Sequence, residues 1–138
     1  MDSLSNYSNP RGKGFPSFEY DEMTKLTCPE MERFSRELCI PYNPVITTGF
    51  DNSPRTVQSD IYEEVGYPFN SVAVNNGPEK WEECLRMAKT FTDSGKFTGD
   101  ILHLSCWNEW TEGAYLEPDT QYGSSKLEAV KKVFGKVN

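Results

Sequence analysis

Histidine is almost missing from this chain: His103 is the only one in 138 residues. A metal centre built on imidazoles therefore lacks donors, and a lone histidine on a strand reads first as a hydrogen-bonded core residue. Cations are scarce as well. Lys and Arg number 14 against 21 Asp and Glu, for a formal charge of −7. That balance excludes nucleic acid and anionic membranes as natural partners, since phosphate binding needs clustered positive charge. No apolar run approaches the roughly 18 residues of a membrane-spanning helix. Residues 1–14 contain no apolar leader, so a cytoplasmic location is expected. The four cysteines, Cys28, Cys39, Cys84 and Cys106, form no C-x-x-C pair. Zinc and thioredoxin-type readings are weak for that reason, none of the three possible disulfide pairings is favoured, and reduced, mostly buried thiols are expected. There is no Gly-rich loop opening a helix, no D-x-D motif, no internal repeat and no low-complexity tract.

What the chain does have is aromatic side chains, 13% of its residues, and they come in clusters. Length allows one domain but not a whole (β/α)8 barrel, which takes roughly 250 residues. Residues 1–27 read as loop, broken by Asn9-Pro10, Gly12, Gly14 and Pro16. Thr27-Cys28-Pro29-Glu30 has the form of a capping box and predicts a helix starting there and ending before Pro41. Val45-Ile46-Thr47-Thr48 predicts a buried strand. After an irregular stretch over 56–77, Asn76-Gly77-Pro78-Glu79 predicts a second helix start. Trp81, Cys84, Leu85, Ala88 and Phe91 then mark one apolar face, and Asp93-Ser94-Gly95 marks the stop. Residues 100–106 predict a strand buried on both sides. Residues 124–134 predict a last helix with Leu127, Val130 and Phe134 inward and Gly135 at its C-cap. Strands alternating with helices imply an α/β fold with parallel pairing and right-handed crossovers. Two strands cannot stand alone, so either 1–27 and 56–77 supply further strands or the chain is the end of a longer barrel.

Both long loops follow strand C-termini, the edge at which α/β folds gather functional groups. The second begins Trp107-Asn108-Glu109-Trp110-Thr111-Glu112-Gly113 and runs on through Tyr115, Glu117, Pro118 and Asp119. Acidic groups among aromatic rings suit sugar chemistry: rings stack on C–H faces, and paired carboxylates divide acid from base work. Three positions apart on a turn, Glu109 and Glu112 approach the roughly 5–5.5 Å carboxyl spacing of retaining glycosidases. Trp107 and Trp110 are candidates to stack on sugar or to pack a rim, and Tyr115 and Glu117 are candidates for the same cleft. Asp51, Asn52 and Arg55 form a polar knot after the first strand. They are either sugar contacts or an Asx turn with Arg55 paired to a nearby acid.

Trp107-Asn108-Glu109-Trp110-Thr111-Glu112-Gly113-Ala114-Tyr115-Leu116-Glu117-Pro118-Asp119, followed by Tyr122-Gly123, resembles the C-terminal signature of the WbsX-like family. Gly49-Phe50-Asp51-Asn52-Ser53-Pro54-Arg55 is similar to that family's G-W-D-N-T-P-R segment, with Phe50 and Ser53 as conservative departures. The family is named for glycosyltransferases of polysaccharide loci and is related to glycoside hydrolase family 99. The resemblance implies the C-terminal part of a (β/α)8 TIM-like barrel, incomplete in this chain, with residues 1–28 as a loop-rich segment and 29–138 as βα units. The N-terminal barrel portion would then lie in a longer parent protein. It further implies Glu109 and Glu112 as the catalytic pair. Glu109 would be the base that draws the proton from a sugar 2-hydroxyl, and Glu112 the acid/base that starts protonated. Asn108 and the aromatic and polar residues named above would face an oligo- or polysaccharide, and neither metal nor cofactor is called for. Retaining glycosidase-like chemistry is the first expectation; the alternatives are glycosyl transfer in polysaccharide biosynthesis and an inactive, glycan-binding fragment.

Overall fold

The computed structural model describes residues 2–7 and 12–135, so the Asn9-Pro10 breaker lies outside the described residues. In chain order the elements are β1 (Leu4–Ser5), β2 (Ser17–Glu19), α1 (Tyr20–Glu37), β3 (Tyr42–Asn43), β4 (Val45–Thr47), β5 (Val72–Val74), α2 (Pro78–Asp93), β6 (His103–Ser105), β7 (Asn108–Glu109), β8 (Ala114–Tyr115) and α3 (Ser125–Phe134). Short 3-10 turns occupy Ser53–Arg55 and Trp110–Glu112.

The first helix departs from the sequence expectation. It starts at Tyr20, not near Thr27, and Pro29 sits inside it. An expected boundary between 28 and 29 therefore falls within α1. Thr27 Oγ1 bonds backward to the Met23 carbonyl (2.8 Å), not forward as a cap would. The true start is favoured by Asp21 and Glu22 in the first turn, where they meet the positive end of the helix dipole. Tyr20, Met23, Thr27 and Met31 form the buried stripe. Inward placement of the Tyr20 ring is fixed by its hydroxyl, which donates to the Thr47 carbonyl at 2.6 Å and ties the start of α1 to the end of β4.

The helix α2 follows the sequence closely. Pro78 opens it, and Trp81, Cys84, Leu85, Ala88 and Phe91 are all buried. The cap, however, is Gly77, which has no side chain to bond with, and Asn76 Nδ2 instead donates to the Thr48 carbonyl (3.0 Å). In α3 the inward residues are Lys126, Ala129 and Val133. Leu127 and Val130 are half-buried against the core and Phe134 is exposed. Lys126 displaces the expected stripe because its stem is apolar and its ammonium lies 4.2 Å from the Tyr115 ring centroid, a cation–π seat. Desolvation there pushes the ammonium pKa down.

Three strand pairs are parallel, β1 with β3, β2 with β5 and β4 with β6. The parallel pairing that the order of elements implies is thus present. Residues 1–27 and 56–77 do contribute strands: β2 and β5 pair with each other from Ser17↔Val72 to Glu19↔Val74. The expected strand over 100–106 is shorter and less covered. Ile101 is 53% exposed and His103 is exposed, so His103 is not a core residue. Among the described residues β6 has one neighbouring strand, β4, and the cover that would bury its other side is lacking. Of the four cysteines, all free, Cys84 alone is buried and Cys39 is exposed, so the thiols are not mostly buried as expected. The core runs from the inner faces of α1, α2 and α3 to Ile46, Tyr42, Ala73 and Leu116.

Candidate functional site

Two loops meet beyond the C-terminal ends of β4 and β6. The first leaves β4 through Gly49. Asp51 Oδ1 accepts from the Ser53 N–H at 2.8 Å, an Asx turn that launches the Ser53–Arg55 turn and points Arg55 across the gap. The second is not the open loop expected after Trp107. It is a tight hairpin, β7 against β8, with the Trp110–Glu112 turn at its tip, closed by Gly113 in the left-handed region at φ +63°. Residues three apart eclipse in a 3-10 turn, which brings Glu109 and Glu112 to one side.

The loops are docked through backbone. The Asp51 N–H donates to the Glu112 carbonyl at 2.6 Å. A Cβ on Gly49 would collide with the Gly113 carbonyl, and one on Gly113 would stand 2.8 Å from Asp51 Cβ. Both glycines are therefore required by close approach as well as, at Gly113, by conformation.

Arg55 gathers the pair. Its Nη2 lies 2.7 Å from Glu109 Oε1 and its Nη1 lies 3.4 Å from Glu112 Oε1. Arg55 Nε donates to Thr111 Oγ1 (3.0 Å) and Nη1 to the Tyr67 hydroxyl (2.5 Å), while Thr111 Oγ1 donates on to Glu109 Oε1 (3.2 Å). The Tyr67 hydroxyl, and then the Glu112 and Glu109 carboxylates, push the guanidinium pKa up. Neighbouring nitrogens of one guanidinium thus hold one oxygen of each glutamate. Of the two side chains Glu112 is the more buried, at 19% exposed against 37% for Glu109. Asp51 and Arg55 take the bracing role left open by the sequence; Asn52 does not, being buried against a cavity.

That cavity, of about 220 Å³, lies behind Glu112 and is walled by Thr47, Phe50, Asn52, Tyr67, Ser105 and Glu112 among others. Glu109 is not part of its wall. The aromatic residues of the second loop, Trp107, Trp110 and Tyr115, sit apart from it. Trp110 stacks on Tyr115 at 3.8 Å between ring centroids and donates its indole N–H to Glu117 Oε2 (2.8 Å). Tyr115 in turn lies under Lys126. Trp107 is exposed, and its carbonyl accepts from the Leu116 and Glu117 N–H groups. Asn108 is exposed on β7, opposite Tyr115. The hairpin thus brings Trp110, Tyr115 and Glu117 into one group that does not border the cavity. Tyr67 and Thr111 escape the sequence reading: Tyr67 comes from the irregular 56–77 stretch, and Thr111 had only its place between the two glutamates to mark it. Among the described residues no group of three or more His, Cys, Asp or Glu side chains is placed to hold a metal ion. No helix among them is long and apolar enough to cross a membrane.

The sequence model of the family described as "Glycosyltransferase WbsX" matches residues 4–130. The chain is also similar to an uncharacterized protein, WxcX, from two strains of Xanthomonas campestris pv. campestris. Identity is 28% over 91 residues, which are 64% of this chain and 12% of WxcX. The chain therefore spans only a small part of the length of these curated relatives. No solved structure matches it.

Proposed function

Because the chain belongs to the WbsX glycosyltransferase family, we propose that it carries the carboxylate pair of a carbohydrate-active site working on a glycosidic bond of an oligo- or polysaccharide. The observation that carries this reading is the convergence of Glu109 and Glu112 on Arg55, beside a cavity that Glu112 helps to wall. Glu109 takes the proton of a sugar 2-hydroxyl, whose oxygen attacks C1. Glu112 gives its proton to the departing glycosidic oxygen, leaving a 1,2-anhydro sugar. Glu112 then takes a proton from the incoming hydroxyl, that hydroxyl's oxygen bonds to C1, and the epoxide oxygen recovers a proton from Glu109. The anomeric configuration is retained. Whether the hydroxyl belongs to water or to a sugar separates hydrolysis from transfer, and the family name supports a sugar. Arg55 is a positioning residue: with Thr111 it fixes the Glu109 oxygen.

We further propose that the parallel pairs are βα units of a (β/α)8 barrel, with the paired glutamates at the strand C-terminal face. Parallel β4 and β6 joined through α2, with both loops at one end, support that placement. A second reading is favoured by Arg55 itself, which engages both carboxylates as a purely bracing ion pair would: a glycan-binding module without turnover.

The test is turnover of a fluorophore-labelled oligosaccharide with water or with an added sugar acceptor. Glu109→Gln and Glu112→Gln are each expected to abolish turnover while leaving Tm nearly unchanged. Retained turnover in either variant refutes the assigned roles, and glycan binding without turnover in the unaltered protein favours the second reading.

A further inference from the structure

The Arg55 guanidinium is shared unequally between the two glutamates, and Tyr67 sets the division. Glu109 accepts two hydrogen bonds, from Arg55 Nη2 at 2.7 Å and from Thr111 Oγ1 at 3.2 Å. Among the described residues no hydrogen bond reaches the Glu112 carboxylate. Its ion pair with Arg55 Nη1 spans 3.4 Å, and the hydrogen bond from that nitrogen goes to the Tyr67 hydroxyl at 2.5 Å. Tyr67 is 61% exposed, yet its base is well mounted. Gly66 and Phe69 on either side of it pair as a bridge, and the Asn70 N–H donates to the Pro68 carbonyl at 2.9 Å. Phe69 packs on Tyr62, which stacks on Phe15 and donates its hydroxyl to the Asn70 carbonyl at 2.5 Å. This mount, away from the glutamates, presents the Tyr67 hydroxyl to Arg55.

Hydrogen bonds to a carboxylate favour its ionised form. Glu109, which accepts two, is suited to the base that starts ionised. Glu112, which accepts none, is suited to the group that starts with a proton. Without the Tyr67 hydroxyl, Arg55 Nη1 would have an N–H lacking its acceptor, and Glu112 Oε1 stands 3.4 Å away, about 0.5 Å beyond ordinary bonding distance. We propose that Tyr67 is a positioning residue for Glu112: by accepting the hydrogen bond of Arg55 Nη1 it withholds that bond from the Glu112 carboxyl, which is thereby left able to carry the proton it must give. The use made of the proton rests on the carboxylate reading above; the withheld bond does not. The other titratable and charged groups around Glu112 are Glu109 on its own hairpin, Asp51 and Arg55 on the docked loop, and Tyr7 and Cys106 in the cavity wall. None of them is altered by removing one phenolic oxygen.

The experiment is a pH titration of the full chain labelled with ¹³C in its glutamate carboxyls, followed by NMR, with Glu112→Gln and Glu109→Gln identifying the two resonances. In Tyr67→Phe the freed N–H should turn to Glu112, and the Glu112 carboxyl should bind its proton at least about tenfold more weakly than in the parent. Tyr67 is exposed and loses only its hydroxyl, so the variant should fold. In an Arg55→Gln background the same Tyr67→Phe change should leave the Glu112 titration within twofold, because Tyr67 acts through Arg55. The proposal is overturned if Tyr67→Phe leaves the Glu112 titration within twofold or makes the proton bind more tightly, whatever happens to Tm. It is equally overturned if the effect persists without Arg55. Turnover of the labelled oligosaccharide supplies the second readout: Tyr67→Phe should be slowed at neutral pH and recover as pH is lowered and solvent reloads Glu112. A weakened Glu112 proton in Tyr67→Phe, together with turnover indifferent to Glu109→Gln and Glu112→Gln, would keep the role of Tyr67 and remove the carboxylate reading. An unmoved titration with turnover that needs both glutamates would keep the carboxylate reading and remove the role of Tyr67.

Discussion

Replacing Gly113 by alanine probes the junction on which the site depends. At φ +63° an L-residue carries about 1–2 kcal/mol of conformational cost. The new Cβ would also stand 2.8 Å from Asp51 Cβ, an overlap that only a loop shift relieves, at about 1 kcal/mol or more. That shift pulls on the 2.6 Å bond from the Asp51 N–H to the Glu112 carbonyl, and losing it costs about 1 kcal/mol more. The expected loss is therefore about 3–4 kcal/mol, read by urea unfolding as a fall in midpoint without a change in slope. Gly123 supplies the control. Its φ is +54° and nothing stands within 4 Å of its would-be Cβ, so Gly123→Ala should cost only the conformational part, about 1–2 kcal/mol. The gap of about 2 kcal/mol corresponds to roughly 8 °C in Tm for a chain of this size. Catalysis should fall further in Gly113→Ala than in Gly123→Ala, because Glu112 moves with the junction. Equal losses in the two variants would show that the loops do not lean on each other and would refute the docking described here.

Other outcomes follow from single groups. Tyr20→Phe removes the hydroxyl that donates to the Thr47 carbonyl at 2.6 Å and should cost about 1–2 kcal/mol by equilibrium unfolding; no measurable loss would mean the bond does not anchor α1. Burial pushes the Cys84 thiol up from 9.0 to about 11. The folded state therefore holds that proton more tightly than the unfolded chain does, and stability should be full below pH 9 and fall by roughly 3 kcal/mol as pH rises to 11, seen as a dropping Tm. Tyr42, pushed up to about 12 mainly by burial, should extend the decline in the same direction. With a thiol reagent at neutral pH, Cys39 should react first and Cys84 only on unfolding, because one is exposed and the other buried. Rapid modification of all four in the folded protein would contradict the core.

Legibility in the sequence tracked agreement between local signals. In α2 the proline, the apolar spacing and the glycine stop all name the same helix, and the helix formed as spaced. In α1 the Thr27-to-Glu30 pattern imitates a beginning, and only the backward bond of Thr27 shows that it is a middle. Two- and three-residue strands such as β1, β2 and β5 carry too few side chains for a period, so tertiary pairing alone defines them. Lys126 hid the inward face of α3, since a charged residue that seats its ammonium on rings looks like surface. The two glutamates and the polar knot were visible as types. Their meeting was not, because Arg55 and Glu109 lie 54 positions apart. The stacking partners of Trp110 were likewise hidden: a ring expected to await a sugar has Tyr115 against one face.

The glycine-to-glycine approach between the two turns has a consequence for anyone recombining such proteins. Residues 49–55 and 107–113 behave as halves of one part, because each lacks a side chain where the other passes. A chimera that imports either stretch alone should inherit a mismatched seam and lose the alignment of its acids, whereas importing both together should transplant the geometry intact. The unit of exchange is the junction, not the segment.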